Sequence, residues 1–221
     1  IDKEAIMKHI FVGLAKPVAS YPGRNAFSCG GDPALKTRPY DPEEAKRLVK
    51  EGGWEGFEFK LLSYPRTRCP EFPRVVQAVA GYWEKIGLKP KIMMSEWASW
   101  RKAWNSRKTQ GTIHGYDDAT SADVYTLIGK FNDKWNYNFK SKRSTVNIPY
   151  LNERYEKIAK SMDVEEIKKL MAEIYQYAYD NYLMVALCEF TDQIATTKKV
   201  PKWNPGRLRQ GENYYDLIRQ K

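Results

Sequence analysis

One histidine and three carboxylates lie close together in the stretch "GTIHGYDDATSADVY", residues 111–125. They are His114, Asp117, Asp118 and Asp123. Imidazole and carboxylate groups bind metal ions in proteins, and in enzymes they also transfer protons. The stretch is therefore a candidate metal site or acid–base site. A third interpretation is that one of these loop carboxylates holds a bound ligand.

The spacing of the stretch does not favour a metal site. His114 and Asp118 would share a face only on a helix, and Gly111 and Gly115 disfavour a helix there. A transition metal would usually need a second histidine or a cysteine, and neither is close in sequence. The alternating oxygen ligands of a calcium loop are also missing. We therefore expect neither a metal nor a cofactor.

The sequence lacks the common motifs of catalytic sites. It contains no G-x-S-x-G, no H-E-x-x-H and no Walker or Rossmann glycine pattern. Two carboxylates of the acidic loop 117–123 would still be able to act as acid and base, because any two loop acids can meet in a fold. We expect a protein without enzymatic activity, and a hydrolase that uses this loop is the alternative.

Three tryptophans precede the acidic loop on a segment that reads as a helix over 97–108. Trp97, Trp100 and Trp104 follow i, i+3, i+7 spacing and share one face of that helix, and Tyr116 comes shortly after it. We expect at least one of the three indoles in the core. Three on one face exceed what a small core needs, so the others would floor a cleft and stack on a sugar, a peptide side chain or a cation.

Alternating strands and helices are expected to position these residues. Residues 57–64 and 88–96 read as strands, and residues 71–86 read as the helix between them. The segment "GTIHGY" reads as a short strand after the tryptophan helix. This order predicts an α/β sheet with covering helices.

The remaining predicted elements are mainly helical. Asp41, Pro42 and Gly52 mark the two ends of a helix in "YDPEEAKRLVKEGG". The apolar run "LMVALCEF" predicts a buried strand over 183–190. The other predicted helices span residues 2–11, 150–161 and 164–181, and Asp163 is the predicted N-cap of the last one.

The composition is that of a globular protein with a basic surface. Among 221 residues, 37 are Lys or Arg and 27 are Asp or Glu, which gives a net charge of +10. The basic residues are scattered and their densest runs are short, which favours a solvated basic face over a nucleic-acid-binding surface. A nucleic-acid-binding module is the third function class, and it would bind any duplex with a steep dependence on salt.

The cysteines and the first residues bear on the cellular compartment. Cys29 and Cys69 lie in loop-like sequence and would be able to pair if the protein is exported, while Cys188 is expected to be a buried thiol. The start "IDKEAIMKHIF" has no initiator Met, no basic segment and no apolar run. We therefore expect no signal peptide in this chain, and we interpret it as a piece of a longer protein.

Several motifs resemble, in the same order, those of one protein family. They include "YDPEEAKRLVKEGG", "YWEKIGLKPKI" followed by "EW", "VEEIKKLMAEIYQYAYDNYLMVAL" and "VPKWNPG". They are similar to motifs in the carboxy-terminal half of bacterial extracellular solute-binding proteins of the peptide/nickel type, family 5. These proteins are receptors of ABC importers. The resemblance spans nearly the whole chain.

The resemblance implies a lobe of a two-lobed periplasmic binding protein of the class II type, with a mixed sheet and helices packed on it. Residues 1–190 would form the second ligand-binding lobe, and residues 191–221 would return to the absent first lobe. The implied function is capture of an oligopeptide or oligosaccharide-like solute between the lobes. The implied partner is a membrane permease. The receptor would be an exported monomer, periplasmic or extracellular and membrane-associated.

The resemblance also assigns candidate ligand-binding residues. Counting from the shared Gly-Thr pair places the acid that binds a peptide's amino group at Asp123. The tryptophan of the family's Glu-Trp dipeptide, which is available to cover the ligand, is Trp97. Trp104 stands where peptide binders carry an arginine, which favours a solute without a free carboxylate. Arg101 and Arg107 are close enough in sequence to substitute, so a peptide stays open. The expected binding set is Asp123, Trp97, Trp104, Trp100, Arg101 and Tyr116.

Overall fold

The computed structural model describes residues 1–20, 35–66, 69–106, 108–115, 148–190 and 197–198. Helices and strands alternate through the first half of this part of the chain, and two long helices follow. The helices are α1 (Lys3–His9), α2 (Pro42–Glu51), α3 (Phe72–Lys85), α4 (Trp97–Asn105), α5 (Pro149–Lys160) and α6 (Val164–Asp180). The strands are β1 (Ala15–Pro17), β2 (Glu58–Ser63), β3 (Lys89–Met94), β4 (Thr112–His114) and β5 (Cys188–Phe190).

The main sheet has the strand order β3-β2-β4, and both pairings are parallel. Leu62 of β2 lies opposite Met93 of β3 and His114 of β4. Parallel neighbours need crossover connections, and α3 and α4 lie in the two crossovers. The α/β sheet expected from the sequence is confirmed. Among the described strands, the antiparallel pair β1-β5 forms a second sheet.

The two crossover helices cover opposite faces of the main sheet. Trp83 of α3 contacts Phe59 of β2, with ring centroids 5.3 Å apart. His114 of β4 contacts Trp100 of α4, with ring centroids 5.5 Å apart. The His114 side chain lies on the same face of the sheet as that of Leu62, its neighbour on β2. Phe59 and Leu62 are three residues apart on one strand, so they face opposite sides.

Local signals explain where the helices begin and end. The Asp41 side chain accepts a hydrogen bond of 2.9 Å from the Glu44 amide at the start of α2. Asp163 accepts from the amides of Glu165 and Glu166 at the start of α6, as its predicted N-cap role requires. Gly87 follows α3 with a φ of +94°, a conformation that a glycine adopts without steric cost.

In the part of the chain that the structure describes, the buried side chains form two clusters. The first joins α1, α3, β2 and Trp100, and Leu62 and Tyr64 within it are fully buried. The second lies between α5 and α6, where Tyr155, Met171 and Ile174 are inaccessible to solvent. Full burial of an aliphatic side chain contributes about 1.5–3 kcal/mol, so both clusters stabilise their elements substantially.

Two predictions about the carboxy-terminal half and the cysteines need adjustment. The strand predicted over 183–190 is shorter, because only Cys188–Phe190 pairs with β1 and these residues are half-buried. Cys69 lies in a loop as expected but is buried, whereas Cys188 is half-buried and its thiol is free. The proposed partner Cys29 lies outside the described residues.

Candidate functional site

The parallel sheet presents the carboxyl ends of its strands at one edge, where Ser63, Met94 and His114 end β2, β3 and β4. The chain passes from β2 to β3 through α3 and then returns past β2 to β4 through α4. The strand order therefore reverses at β2. In open α/β sheets, ligands bind outside the carboxyl ends of the strands at such a reversal.

Two stacked aromatic rings form the centre of this edge. Tyr64, directly after β2, lies 5.0 Å from Trp97 at the start of α4, with an interplanar angle of 29°. Tyr64 is fully buried, whereas Trp97 is only partly buried. The Tyr64 hydroxyl donates a 3.0 Å hydrogen bond to the carbonyl of Gly115, directly after β4. This bond connects the ends of two neighbouring strands.

A guanidinium group lies over both rings. The Cζ atom of Arg66 is 5.0 Å from the ring centroid of Trp97 and 5.7 Å from that of Tyr64. Both distances are within the range of a cation–π interaction. The edge therefore combines a positive charge with apolar ring faces.

Trp104 and His114 extend the aromatic surface. Trp104 lies 6.5 Å from Trp97 and 5.0 Å from His114, with near edge-to-face geometry in both contacts. His114, the last residue of β4, thus packs among indoles. No cluster of three metal-ligating side chains occurs in the described part of the chain.

The three tryptophans of α4 have different environments. Trp100 is only 5% exposed and belongs to the first core cluster, while Trp97 and Trp104 are partly exposed. Within the described residues, the buried Trp100 Nε1 has no hydrogen-bond partner. The structure thus places Trp100 in the core rather than on a cleft floor, which leaves Trp97 and Trp104 accessible to a ligand.

The other predicted ligand-binding residues are placed unevenly. Arg101 is exposed on α4, three residues before Trp104. Asp123, Tyr116 and Arg107 lie outside the described residues, as does the rest of the acidic loop 117–123.

The sequence interpretation missed Tyr64, Arg66 and Gly115. A usable signal existed, because Tyr64 and Arg66 lie at the carboxyl end of the predicted strand 57–64, where parallel sheets place their sites. Gly115 gave no such signal. A β-carbon built on it would lie 2.8 Å from the Phe72 ring, so any larger residue there would displace the ring or the segment after β4.

A family comparison identifies the kind of protein that carries this edge. Residues 1–139, more than half of the chain, match the family described as bacterial extracellular solute-binding proteins, family 5 Middle. The chain belongs to this family. The family is described as one of solute-binding proteins, which agrees with the expectation of a binding protein.

Curated relatives of the chain carry different ligands in their names. Heme-binding protein A of Haemophilus influenzae is 29% identical over 119 residues, which cover 52% of this chain and 21% of that protein. The dipeptide-binding protein of Escherichia coli is also 29% identical over 119 residues, covering 52% of this chain and 22% of the relative. The chain thus matches about a fifth of the length of these solute-binding proteins.

Solved structures share the fold. A dipeptide-binding protein from Pseudoalteromonas sp. SM9913 in complex with Met-Leu aligns with a TM-score of 0.73 at 16% identity. The alignment covers 86% of this chain and 38% of that chain. The fold of a lobe of a two-lobed periplasmic binding protein is therefore confirmed. Among the described helices, none is both long and apolar enough to span a membrane.

Proposed function

We propose that this chain is the second ligand-binding lobe of a receptor that captures a small solute for an ABC importer. The observation that carries the proposal is the aromatic edge of Trp97, Tyr64, Trp104 and His114 at the strand reversal of a parallel sheet. Partly exposed indoles beside a reversal offer apolar area and ring faces to a solute. Membership of a solute-binding family supports the same function.

The solute is proposed to be an oligopeptide or an oligosaccharide-like molecule. Two relatives with equal identity to this chain are named for heme and for dipeptides, so the ligand must follow from the site itself. Trp97 covers the solute by stacking, and Trp104 extends that surface. Asp123 is proposed to bind an ammonium or hydroxyl group of the solute through a charge-assisted hydrogen bond.

Binding is proposed to depend on closure of two lobes. Residues 1–190 would supply one wall of the cleft, residues 191–221 would return toward the other lobe, and closure would bury the solute and present it to a membrane permease. The receptor would act as an exported monomer. Because one wall buries only part of the solute, the 221-residue chain alone should bind weakly.

The first test is a comparison of two tryptophan variants in the receptor that contains this chain. With a dipeptide panel, calorimetry should show at least a tenfold loss of affinity for Trp97→Ala, because a stacking ring is removed. Trp54→Ala is the matched control, since Trp54 is 52% exposed and contacts Phe57 at the amino end of β2. Equal affinities of the two variants would exclude the aromatic edge as the site.

The second test uses the 221-residue chain by itself. Calorimetry with the same panel should detect no tight binding. Micromolar affinity in the chain alone would contradict the dependence on two lobes.

A further inference from the structure

Tyr64 lies at the centre of the aromatic edge and is itself inaccessible to solvent. Its ring stacks on Trp97 at a centroid distance of 5.0 Å, and Trp97 is only partly buried. A side chain without accessible surface cannot touch a solute that binds at the edge. Any effect of Tyr64 on binding must therefore be transmitted by a neighbour, and Trp97 is an accessible ring in contact with it.

Three segments of the chain meet at the Tyr64 ring and fix its position. The hydroxyl donates a 3.0 Å hydrogen bond to the carbonyl of Gly115, directly after β4. The ring also packs 4.7 Å from that of Phe72, the first residue of α3. Phe72 in turn lies against Gly115, because a β-carbon built on this glycine would be 2.8 Å from the Phe72 ring. The ends of β2 and β4 and the start of α3 are thus joined at the residue on which Trp97 stacks.

The Tyr64 hydroxyl determines how the ring is oriented within this junction. A hydrogen bond weakens steeply when its angle departs from linearity, so the bond to Gly115 fixes the direction of the long axis of the ring. Two stacked rings favour particular mutual orientations. The angle of 29° between the planes of Tyr64 and Trp97 is therefore set in part from the end of β4.

A ring that is already oriented before the solute arrives favours binding, because a mobile side chain would lose conformational entropy on contact with the solute. We propose that Tyr64 is a positioning residue, whose hydrogen bond to Gly115 holds Trp97 in the orientation that the solute needs. This inference rests on the proposed function, which places Trp97 against the solute, and adds the residue that orients it.

The variant Tyr64→Phe removes the hydroxyl and keeps the ring, so it separates positioning from packing. In the ¹⁵N-labelled 221-residue chain, the indole N–H signal of Trp97, assigned with Trp97→Phe, should shift and broaden in Tyr64→Phe. Tyr155→Phe is the matched control, since Tyr155 is also inaccessible to solvent but lies in the second core cluster. It should leave the Trp97 signal unchanged.

A double-variant cycle in the receptor that contains this chain shows whether Tyr64 acts through Trp97. With the dipeptide panel, calorimetry should show a loss of affinity of about threefold to tenfold for Tyr64→Phe, the range expected for one hydrogen bond between neutral groups. The same change in a Trp97→Ala background should have no further effect, because the residue that Tyr64 orients is gone. A purely structural role of Tyr64 would lower the affinity equally in both backgrounds.

The failure of this inference and that of the proposed function are distinguishable. If Trp97→Ala weakens binding and Tyr64→Phe does not, or does so equally in both backgrounds, the site stands and the positioning role is wrong. If Trp97→Ala leaves the affinity unchanged, the proposed site is wrong and the inference fails with it. If no dipeptide of the panel binds, the indole signal decides, since it needs no solute. A Trp97 signal that is unchanged in Tyr64→Phe, or equally shifted in Tyr155→Phe, overturns the inference.

Discussion

Replacing Gly115 by alanine tests whether the edge of the sheet is packed as tightly as the structure shows. The new β-carbon would lie 2.8 Å and 3.0 Å from two carbons of the Phe72 ring. Carbon atoms in contact are ordinarily about 3.5–4.0 Å apart, so the ring or the segment after β4 must move by roughly 0.7 Å. Phe72 is 7% exposed and packs 4.7 Å from Tyr64, which leaves the ring little space.

The expected magnitude follows from two opposing effects. Overpacking of a core costs about 1–3 kcal/mol, whereas a glycine-to-alanine change reduces the entropy of the unfolded chain by about 0.4–1 kcal/mol. Gly115 does not have a positive φ, so no backbone strain adds to the cost. We therefore expect the free energy of unfolding to fall by about 1–2 kcal/mol.

The assay is urea unfolding followed by tryptophan fluorescence, with near-UV circular dichroism to report the Tyr64–Trp97 stack. Gly81→Ala is the matched control, since Gly81 lies within α3 with nothing within 4 Å of its built β-carbon, and it should stabilise by about 0.5–1 kcal/mol. In a double variant, Phe72→Leu should recover part of the loss caused by Gly115→Ala. A Gly115→Ala chain as stable as the unmodified one would refute the reasoning.

Two further predictions concern an acid and a thiol. In the receptor, Asp123→Asn should weaken solute binding about tenfold or more, as measured by calorimetry. An activity screen should detect no hydrolysis in either the unmodified receptor or the variant. Hydrolysis that is present in the unmodified receptor and lost with Asp123 would support the enzyme alternative instead. Burial raises the pKa of the Cys188 thiol to about 12. At pH 8 this thiol should therefore react with Ellman's reagent about a thousandfold more slowly than an exposed cysteine. The variant Cys188→Ser should show the same amount of fast-reacting thiol as the unmodified chain. Rapid labelling of Cys188 in the folded chain would contradict this.

Local signals predicted the helices well. Asp41 and Asp163 cap α2 and α6 as expected, because capping depends on residues only two or three positions away. The strand predicted over 183–190 was too long, since its partner β1 offers only Ala15–Pro17. Strand length is set by a distant partner, and the apolar run in the sequence does not identify that partner.

The candidate site was predictable only in part for the same reason. Trp97 and Trp104 follow helical spacing within one segment, so a pattern indicated them. The Tyr64 hydroxyl is hydrogen-bonded to the Gly115 carbonyl, 51 residues later in the sequence. Arg66 contacts Trp97, although α3 and β3 lie between these two residues in the sequence. Such contacts depend on the pairing of β2 with β4 and on the helix crossover, which periodicity does not specify.

The division of the core into two clusters has a consequence for how unfolding is observed. The described tryptophans lie in α2–α4 or beside them, and the cluster between α5 and α6 contains none. Regions with separate cores open with different free energies, so they exchange their amide hydrogens independently. Indole fluorescence would therefore report the unfolding of the sheet and its edge. The α5–α6 pair would be followed by tyrosine fluorescence or far-UV circular dichroism. If the unfolding midpoints from these signals differ, the chain contains two folding units.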